Sequence, residues 1–195
     1  MTNLVLASAS PRRAELLSQI GVEYTVSSAD IDESVLAGES PSEYVGRLAK
    51  EKALAILSKS GNSVVIAADT SVVLGDTILG KPDNADHACE ILQSLSGSQH
   101  FVYSGVAVCR MHKNEIEIFS EVVKTQVNFL ALPEQLIKRY VETEEPMDKA
   151  GAYGIQGKGA VFVESIQGSY SNVVGLPLAQ TAQLLSKCNV PFWQD

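Results

Sequence analysis

Short apolar runs alternate with amphipathic segments along the whole chain. Apolar runs bounded by turn residues predict buried strands, and apolar positions at helical spacing behind Ser, Pro or Asn predict helices. The predicted strands cover residues 4–6, 64–68, 72–74, 77–79, 101–109, 116–127 and 160–165. The predicted helices begin at residue 11 and cover residues 41–58, 85–95, 133–142 and 177–187. Such alternation is typical of an α/β domain.

Two of these segments, residues 101–109 and 116–127, are long alternating runs on either side of a polar turn at residues 111–114. Strands joined by so short a connection are antiparallel, whereas strands separated by helices are usually parallel. The pattern therefore predicts a long mixed β-sheet flanked by helices. The polar residues capable of chemistry follow the strands or lie in loops, where α/β proteins bind ligands.

Composition limits the class of protein. A chain of 195 residues suits one domain of two lobes, here residues 1–195, and 45% hydrophobic content with 19% charged residues is typical of a globular fold. The net charge of −8 disfavours a nucleic-acid partner, which requires a basic surface. No apolar run approaches the roughly 20 residues that span a membrane, so no membrane partner is expected.

Cysteine usage and the N-terminus bear on the compartment. The three cysteines are odd in number, widely spaced and outside any CxxC motif, which argues against a disulfide framework and against a structural zinc site. The first ten residues, MTNLVLASAS, lack the basic region of a signal peptide. A cytoplasmic location is therefore the default expectation.

The first turn of the chain, SASPRR at residues 8–13, combines features of an anion site. Ser10 is a good N-cap, and Pro11 suits the first helical position. Backbone N–H groups at the helix start, the hydroxyl of Ser8 and the guanidinium groups of Arg12 and Arg13 could together bind phosphate. Taken alone, the turn favours an ordinary strand-to-helix connection whose arginines are solvated.

Two acidic positions are candidates for catalysis or metal binding. Asp69 is predicted to end the apolar strand at residues 64–68, where a carboxylate could bind a metal or act as a general base. The alternative is a turn cap together with Thr70. Glu33 lies in the acidic stretch 30–33 and could supply a further oxygen ligand to Mg²⁺ or Mn²⁺, unless that stretch is simply a solvated loop.

Two lysines and one glutamine could contact an anionic, planar ligand. Lys81 lies between Gly80 and Pro82, which restrict the backbone around one cation, whereas Lys52 is of interest only if its helix lines a site. Gln156 belongs to the glycine-rich stretch KAGAYGIQG, where backbone can approach a base and an amide can hydrogen-bond to its edge. A tight loop with an exposed glutamine is the alternative.

Taken together and in this order, the motifs resemble those of the Maf family of nucleoside triphosphate pyrophosphatases. The motifs cover nearly the whole chain and are LASASPRRAELL, DIDE, RLAKEKA, AADT, GKP, LSGSQH, DKAGAYGIQG and VVGLPL. The intact AGAYGIQG segment resembles the branch of the family that acts on dTTP and UTP. The resemblance implies a two-lobed fold like that of inosine triphosphate pyrophosphatase, with a deep cleft between the lobes.

The same resemblance implies a role for each matching residue. Asp69 corresponds to the proton acceptor, and with Glu33 it is expected to hold a divalent cation, Mg²⁺ or Mn²⁺. Three residues correspond to positions that select the substrate: Arg12, Thr70 and Gln156. Four correspond to positions that bind phosphate: Ser8, Arg13, Lys52 and Lys81.

The implied reaction converts dTTP, UTP or modified pyrimidine nucleotides to the monophosphate and pyrophosphate, a housecleaning role in the nucleotide pool. A homodimer is the usual state of the family. An alternative is a nucleotide-binding regulator of cell division and septum formation with slow or incidental hydrolysis. Release of pyrophosphate at ordinary enzymatic rates distinguishes the enzyme from the regulator.

Overall fold

A computed structural model describes residues 3–193 and confirms the predicted α/β class. The strands are β1 (Leu4–Leu6), β2 (Thr25–Val26), β3 (Val64–Leu74), β4 (Thr77–Leu79), β5 (Gln99–His112), β6 (Glu115–Phe129) and β7 (Val163–Gln167). The α-helices are α1 (Pro11–Gln19), α2 (Pro41–Ser60), α3 (Ala85–Leu95), α4 (Glu134–Val141), α5 (Tyr170–Val174) and α6 (Leu178–Lys187). Short 3-10 helices cover Glu145–Asp148, Ala150–Ala152 and Lys158–Phe162.

All seven strands belong to one sheet, in the order β2-β1-β3-β5-β6-β7, with β4 paired to β3. Strand β1 is parallel to both β2 and β3, whereas β3 and β4, like β6 and β7, are antiparallel. The sheet is therefore mixed, as predicted. At the turn between β5 and β6, Lys113 and Asn114 both have positive φ, a backbone that matches the twist of a tight hairpin.

The chain divides into two compact units. The first contains residues 3–69, 104–123 and 175–193. Its core joins α2 to one face of the sheet, where Ala49 and Ala53 pack with Val65 and Ala67. Small side chains at these positions let the helix approach the strand closely. The intervening residues of β1 and β3 point to the opposite face and are also buried, so both faces of these strands are covered.

The second unit contains residues 70–103 and 124–174. Its core is formed by α3, α4 and the strands they cover, with an aromatic cluster at its centre. The Phe129 ring contacts His100, Tyr153 and Phe162 edge to face, with ring centroids 4.9, 4.7 and 6.0 Å away. Among residues 3–193, every helix is too short or too polar to cross a bilayer.

Local sequence signals determine the start of α2. Ser40 and Glu43 form a capping box, in which the Glu43 N–H donates to Ser40 Oγ at 3.3 Å and the Ser40 N–H donates to Glu43 Oε2 at 2.9 Å. Ser10 occupies the N-cap position of α1 as predicted, but its side chain makes no capping hydrogen bond. Instead, the Ser10 N–H donates to Ser8 Oγ at 3.2 Å.

Several predicted boundaries are wrong. Strand β3 does not end at Asp69 but continues to Leu74. The last strand begins at Val163, because the preceding residues form a 3-10 helix. The short elements β2 and α5 were not predicted, since two and five residues carry too little periodicity to be recognised.

Candidate active site

Asp69 and Lys52 meet because α2 packs against the face of β3 that carries Asp69. Alternation along β3 places Asp69 on the same face as Val65 and Ala67, which is the face that α2 covers. Lys52 precedes Ala53 on the buried side of α2. A long side chain from the helix therefore reaches the carboxylate on the strand.

The ammonium group of Lys52 bridges two carboxylates. Lys52 Nζ lies 2.7 Å from Asp69 Oδ1 and 2.8 Å from Glu33 Oε1. The Lys52 and Asp69 side chains are each 10% exposed, whereas that of Glu33 is 53% exposed. A buried carboxylate is tolerated when it is paired, which explains why β3 continues through Asp69. Sequence reasoning predicted Lys52 as a phosphate ligand and did not foresee this bridge.

Side chains of α2 also hold the loop that carries Glu33. Tyr44 Oη donates to the Glu33 carbonyl at 2.8 Å. Arg47 donates to the Ser34 carbonyl at 3.0 Å and forms two hydrogen bonds with Glu39, at 2.6 and 2.8 Å. Burial raises the pKa of the Tyr44 phenol to about 12, and the charges of Asp69 and Glu33 add to the rise. The phenol therefore stays protonated and keeps donating.

Tyr44 and Arg47 were missed as site residues by sequence reasoning. Both follow the capping box of α2 at a helical spacing of three, and Glu51 extends the same row. Arg47 Nη1 also donates to Glu51 Oε2 at 3.2 Å. The spacing could have indicated one functional helix face, although it does not reveal which loop that face holds.

The turn after β1 is held together by its own side chains. Arg13 Nη1 donates to Ser8 Oγ at 3.1 Å, and Arg13 Nε donates to the Gly175 carbonyl at 3.0 Å. Burial lowers the pKa of the Arg13 guanidinium, whereas the charge of Asp69 opposes this effect, the charge of Arg12 adds to it, and Glu33 opposes it again. The guanidinium therefore interacts electrostatically with both carboxylates.

The structure brings together five predicted site residues in the first unit: Ser8, Arg13, Glu33, Lys52 and Asp69. Arg12 lies beside them on α1. The other three belong to the second unit: Thr70, Lys81 and Gln156. There the Gly151 N–H donates to the Gly80 carbonyl at 3.0 Å, which ties the loop of Lys81 to the glycine-rich loop of Gln156. The side chains of Lys81 and Gln156 are exposed.

The donor set suits a magnesium-type cation that also binds substrate. Within residues 3–193, no group of three or more His, Cys, Asp or Glu side chains could hold a metal. Glu33 and Asp69 nevertheless converge on one ammonium group. Magnesium is commonly held by one or two carboxylates together with substrate phosphates and water, so these two residues fit it.

Comparisons with known proteins identify the family of this chain. A family model described as Maf-like protein matches residues 3–188. The dTTP/UTP pyrophosphatase of Myxococcus xanthus is 51% identical over 191 residues, covering 98% of this chain and 95% of the relative. The protein of the same name from Pseudoalteromonas atlantica is 52% identical over 191 residues, covering 96% of this chain and 97% of the relative. The chain therefore belongs to the Maf family.

Proposed function

We propose that this chain is a nucleoside triphosphate pyrophosphatase that hydrolyses dTTP and UTP to the monophosphate and pyrophosphate, and so removes nucleotides from the pool. Relatives about half identical over nearly the whole chain carry the name dTTP/UTP pyrophosphatase. The observation that carries the proposal is the bridge of Lys52 between Asp69 and Glu33. It concentrates a candidate base, a cation and a second carboxylate at one place, as phosphoryl chemistry requires.

In the proposed reaction, a water oxygen attacks the α-phosphorus. The bond between that phosphorus and the oxygen bridging to the β-phosphorus breaks, and the pair of electrons leaves with pyrophosphate. Asp69 accepts the proton that the water loses. Its position on a regular strand inside the core, rather than on a flexible loop, would hold the carboxylate in one orientation toward the water.

Cationic side chains would stabilise the negative charge of the triphosphate and of the transition state. Arg13 and the Ser8 hydroxyl are already oriented toward each other, so little side-chain entropy would be lost when phosphate binds. Lys52 would exchange part of its contact with the carboxylates for a phosphate oxygen. Lys81, on an exposed glycine-proline loop, would bind the far end of the triphosphate.

Glu33 and Asp69 are the residues that would hold Mg²⁺ or Mn²⁺ together with phosphate oxygens. When bound, the cation would polarise the phosphoryl group and neutralise part of its charge. The half-exposed position of the Glu33 side chain lets it adjust its distance to an incoming ion, whereas Tyr44 keeps its backbone in place.

Gln156 would hydrogen-bond to the O4 and N3 edge of uracil or thymine, since its amide offers both a donor and an acceptor. Arg12 and Thr70 would contribute to the choice of substrate. Thr70 follows Asp69 directly on β3 and points to the other face of the strand. The homodimer, the cytoplasmic location and the organisation as one two-lobed domain stay predictions.

The test is a panel of dTTP, UTP, dCTP and modified pyrimidine triphosphates, assayed for pyrophosphate with Mg²⁺ or Mn²⁺ and with EDTA as the metal-free control. The expected result is pyrophosphate release from dTTP and UTP at enzymatic rates and loss of activity in EDTA. Tight nucleotide binding without pyrophosphate release would instead favour a regulator that acts by binding.

A further inference from the structure

The loop that carries Gln156 is held by a carboxylate from outside the loop. Glu145, at the start of the 3-10 helix Glu145–Asp148, directs its side chain at the far end of this loop. Its Oε2 accepts the Lys158 N–H at 2.9 Å, and its Oε1 accepts the Gly159 N–H at 3.2 Å. Two consecutive backbone donors, which follow Gln156 and Gly157 in the chain, thus bind one carboxylate.

Tyr140 extends this contact to the near end of the loop. Its hydroxyl donates to Glu145 Oε1 at 2.9 Å and accepts the Gly154 N–H at 3.2 Å. Its ring packs edge to face against Phe162, with centroids 4.8 Å apart, so the hydroxyl is fixed by the core. Gln156 therefore lies between two backbone anchors, Gly154 and Lys158, that lead to the same carboxylate.

The fit around Glu145 is tight on the loop side. A Cβ atom at Gly157 would lie 2.4 Å from Glu145 Oε1, and one at Gly159 would lie 2.8 Å from the Tyr140 hydroxyl. The close approach of the loop to the phenol and to the Gly154 backbone requires Gly159, whereas a side chain at Gly157 would displace the Glu145 carboxylate. The glycine-containing loop and the Glu145 side chain that holds it therefore fit each other closely.

Electrostatics favour an ionised anchor. Partial burial acts to raise the pKa of Glu145. The hydrogen bonds from Lys158, Gly159 and the Tyr140 hydroxyl, together with the Lys149 charge, outweigh it, so the pKa lies below its ordinary value. Lys149 Nζ donates to the Glu145 carbonyl at 2.6 Å and so fixes the backbone of the anchor as well.

We infer that Glu145 is a positioning residue that fixes the orientation of the Gln156 loop and thereby selects the pyrimidine base. The inference rests on the proposed role of Gln156. An amide that rotates by half a turn exchanges its donor and acceptor, and would then match the amino group and N3 of cytosine instead of O4 and N3–H of thymine. Discrimination between the two bases therefore needs a loop that holds the amide in one orientation.

The direct test compares Glu145→Gln with wild type. The substitution keeps the volume of the side chain but points an NH₂ group at donors that the carboxylate accepted. We expect faster hydrogen exchange at the amides of Lys158 and Gly159 without bound nucleotide. The ratio of kcat/KM for dTTP to that for dCTP should fall about tenfold, mainly through KM for dTTP, because small displacements of a positioning group have large effects.

Two further variants keep the test decisive. Tyr140→Phe retains the ring packing and removes the hydroxyl, and should lower the same ratio in the same direction, by less. Glu142→Gln changes an exposed glutamate shortly before Glu145, at the end of α4. It should leave both the hydrogen-exchange rates and the ratio of kcat/KM values unchanged. An equal fall in Glu142→Gln would overturn the inference, since the effect would then not depend on the anchor.

Gln156→Ala separates this inference from the proposed function. If Glu145 acts through Gln156, Glu145→Gln should have no further effect on the ratio in the Gln156→Ala background. Additive effects of the two substitutions would overturn the inference alone, as would a normal ratio in Glu145→Gln while Gln156→Ala lowers it. A normal ratio in Gln156→Ala would overturn the proposed base contact, and the inference with it.

Discussion

Two regions of this chain solve the problem of positioning a polar group in opposite ways. The Lys52 cluster, formed by Glu33, Lys52 and Asp69, consists of charged side chains, two of them on a helix and a strand of the first unit. The Gln156 loop, residues 149–159, belongs to the second unit and is held by backbone N–H groups and glycines. One region pairs charged side chains with one another, and the other holds the backbone of a loop by hydrogen bonds to a carboxylate and a phenol.

The difference suggests a division of labour. Charges that are stabilised or neutralised in the transition state affect the rate of the chemical step, so changes in the Lys52 cluster should appear in kcat. A neutral amide that contacts the base equally in ground and transition states affects binding, so changes in the Gln156 loop should appear in KM and in base preference. Substitutions in the two regions should therefore have different effects on kcat, on KM and on base preference.

The largest effect is expected from Asp69→Asn. The substitution removes the proton acceptor and one partner of Lys52, and kcat for dTTP should fall about 10³-fold. The ratio of dTTP to dCTP activity should stay at its wild-type value, because the Gln156 loop is unchanged. Steady-state kinetics measures both outcomes, and circular dichroism checks that the variant is folded. Asp76→Asn, at the exposed turn between β3 and β4, is the control. Near-normal turnover in Asp69→Asn would remove Asp69 from the mechanism.

A buried histidine in the second unit should make stability, rather than catalysis, depend on pH. Burial lowers the pKa of His100 to about 4, and its Nε2 lies 2.9 Å from the Tyr153 hydroxyl. Between about pH 6.5 and pH 4, this histidine is therefore protonated in the unfolded chain but neutral in the folded chain. The free energy of unfolding falls by about 3 kcal/mol as the pH drops through this range. Urea unfolding of wild type at pH 7 and pH 4.5 measures the loss.

His100→Asn should flatten this pH dependence, whereas His112→Asn, at an exposed position near the end of β5, should not. The pH profile of kcat should be similar in both variants and the wild type, since His100 is placed in the core and not among the proposed catalytic groups. An acid limb of kcat that moves with His100→Asn would contradict the assignment of rate to the first unit.

A further effect on rate is expected from Lys52→Met. Without the ammonium group, Glu33 and Asp69 lose the cation that pairs with both of them. Turnover should fall about 10²-fold, because a cation that would stabilise the charge of the transition state is lost, whereas the ratio of dTTP to dCTP activity should stay at its wild-type value. Lys50→Met, at an exposed position of the same helix, is the matched control. Equal turnover of the two variants in steady-state kinetics would show that the bridge does not contribute to the rate.

Features encoded by neighbouring residues were predicted from the sequence. The capping box of α2, the hairpin of β3 and β4, and the bounds of α3 depend on residues a few positions apart, and the structure confirms them. The continuation of β3 was not predictable in this way. A buried Asp69 is stable only because Lys52 lies beside it, and that pairing depends on the packing of a helix onto a strand.

The candidate site shows the same limit. Family motifs identified Asp69, Lys52 and Glu33 but not that one ammonium group contacts both carboxylates. Glu145 gave no signal, because its partners are backbone N–H groups 13 and 14 residues further along, and backbone donors are identical at almost every position of a sequence. Only the run of glycines indicated that something approaches the loop closely.

The smallest effect is expected from Tyr44→Phe. The substitution removes the hydrogen bond to the Glu33 carbonyl, which should loosen the acidic loop at a cost of about 1 kcal/mol. If Glu33 helps to hold the cation, the Mg²⁺ concentration for half-maximal activity should rise about threefold, with saturated kcat nearly unchanged. Tyr24→Phe is the control, because Tyr24 Oη donates to the Ala14 carbonyl in the same unit at the same distance of 2.8 Å. A changed ratio of dTTP to dCTP activity in Tyr44→Phe would instead break the separation between the two regions, because a side chain of the first unit would then influence base selection.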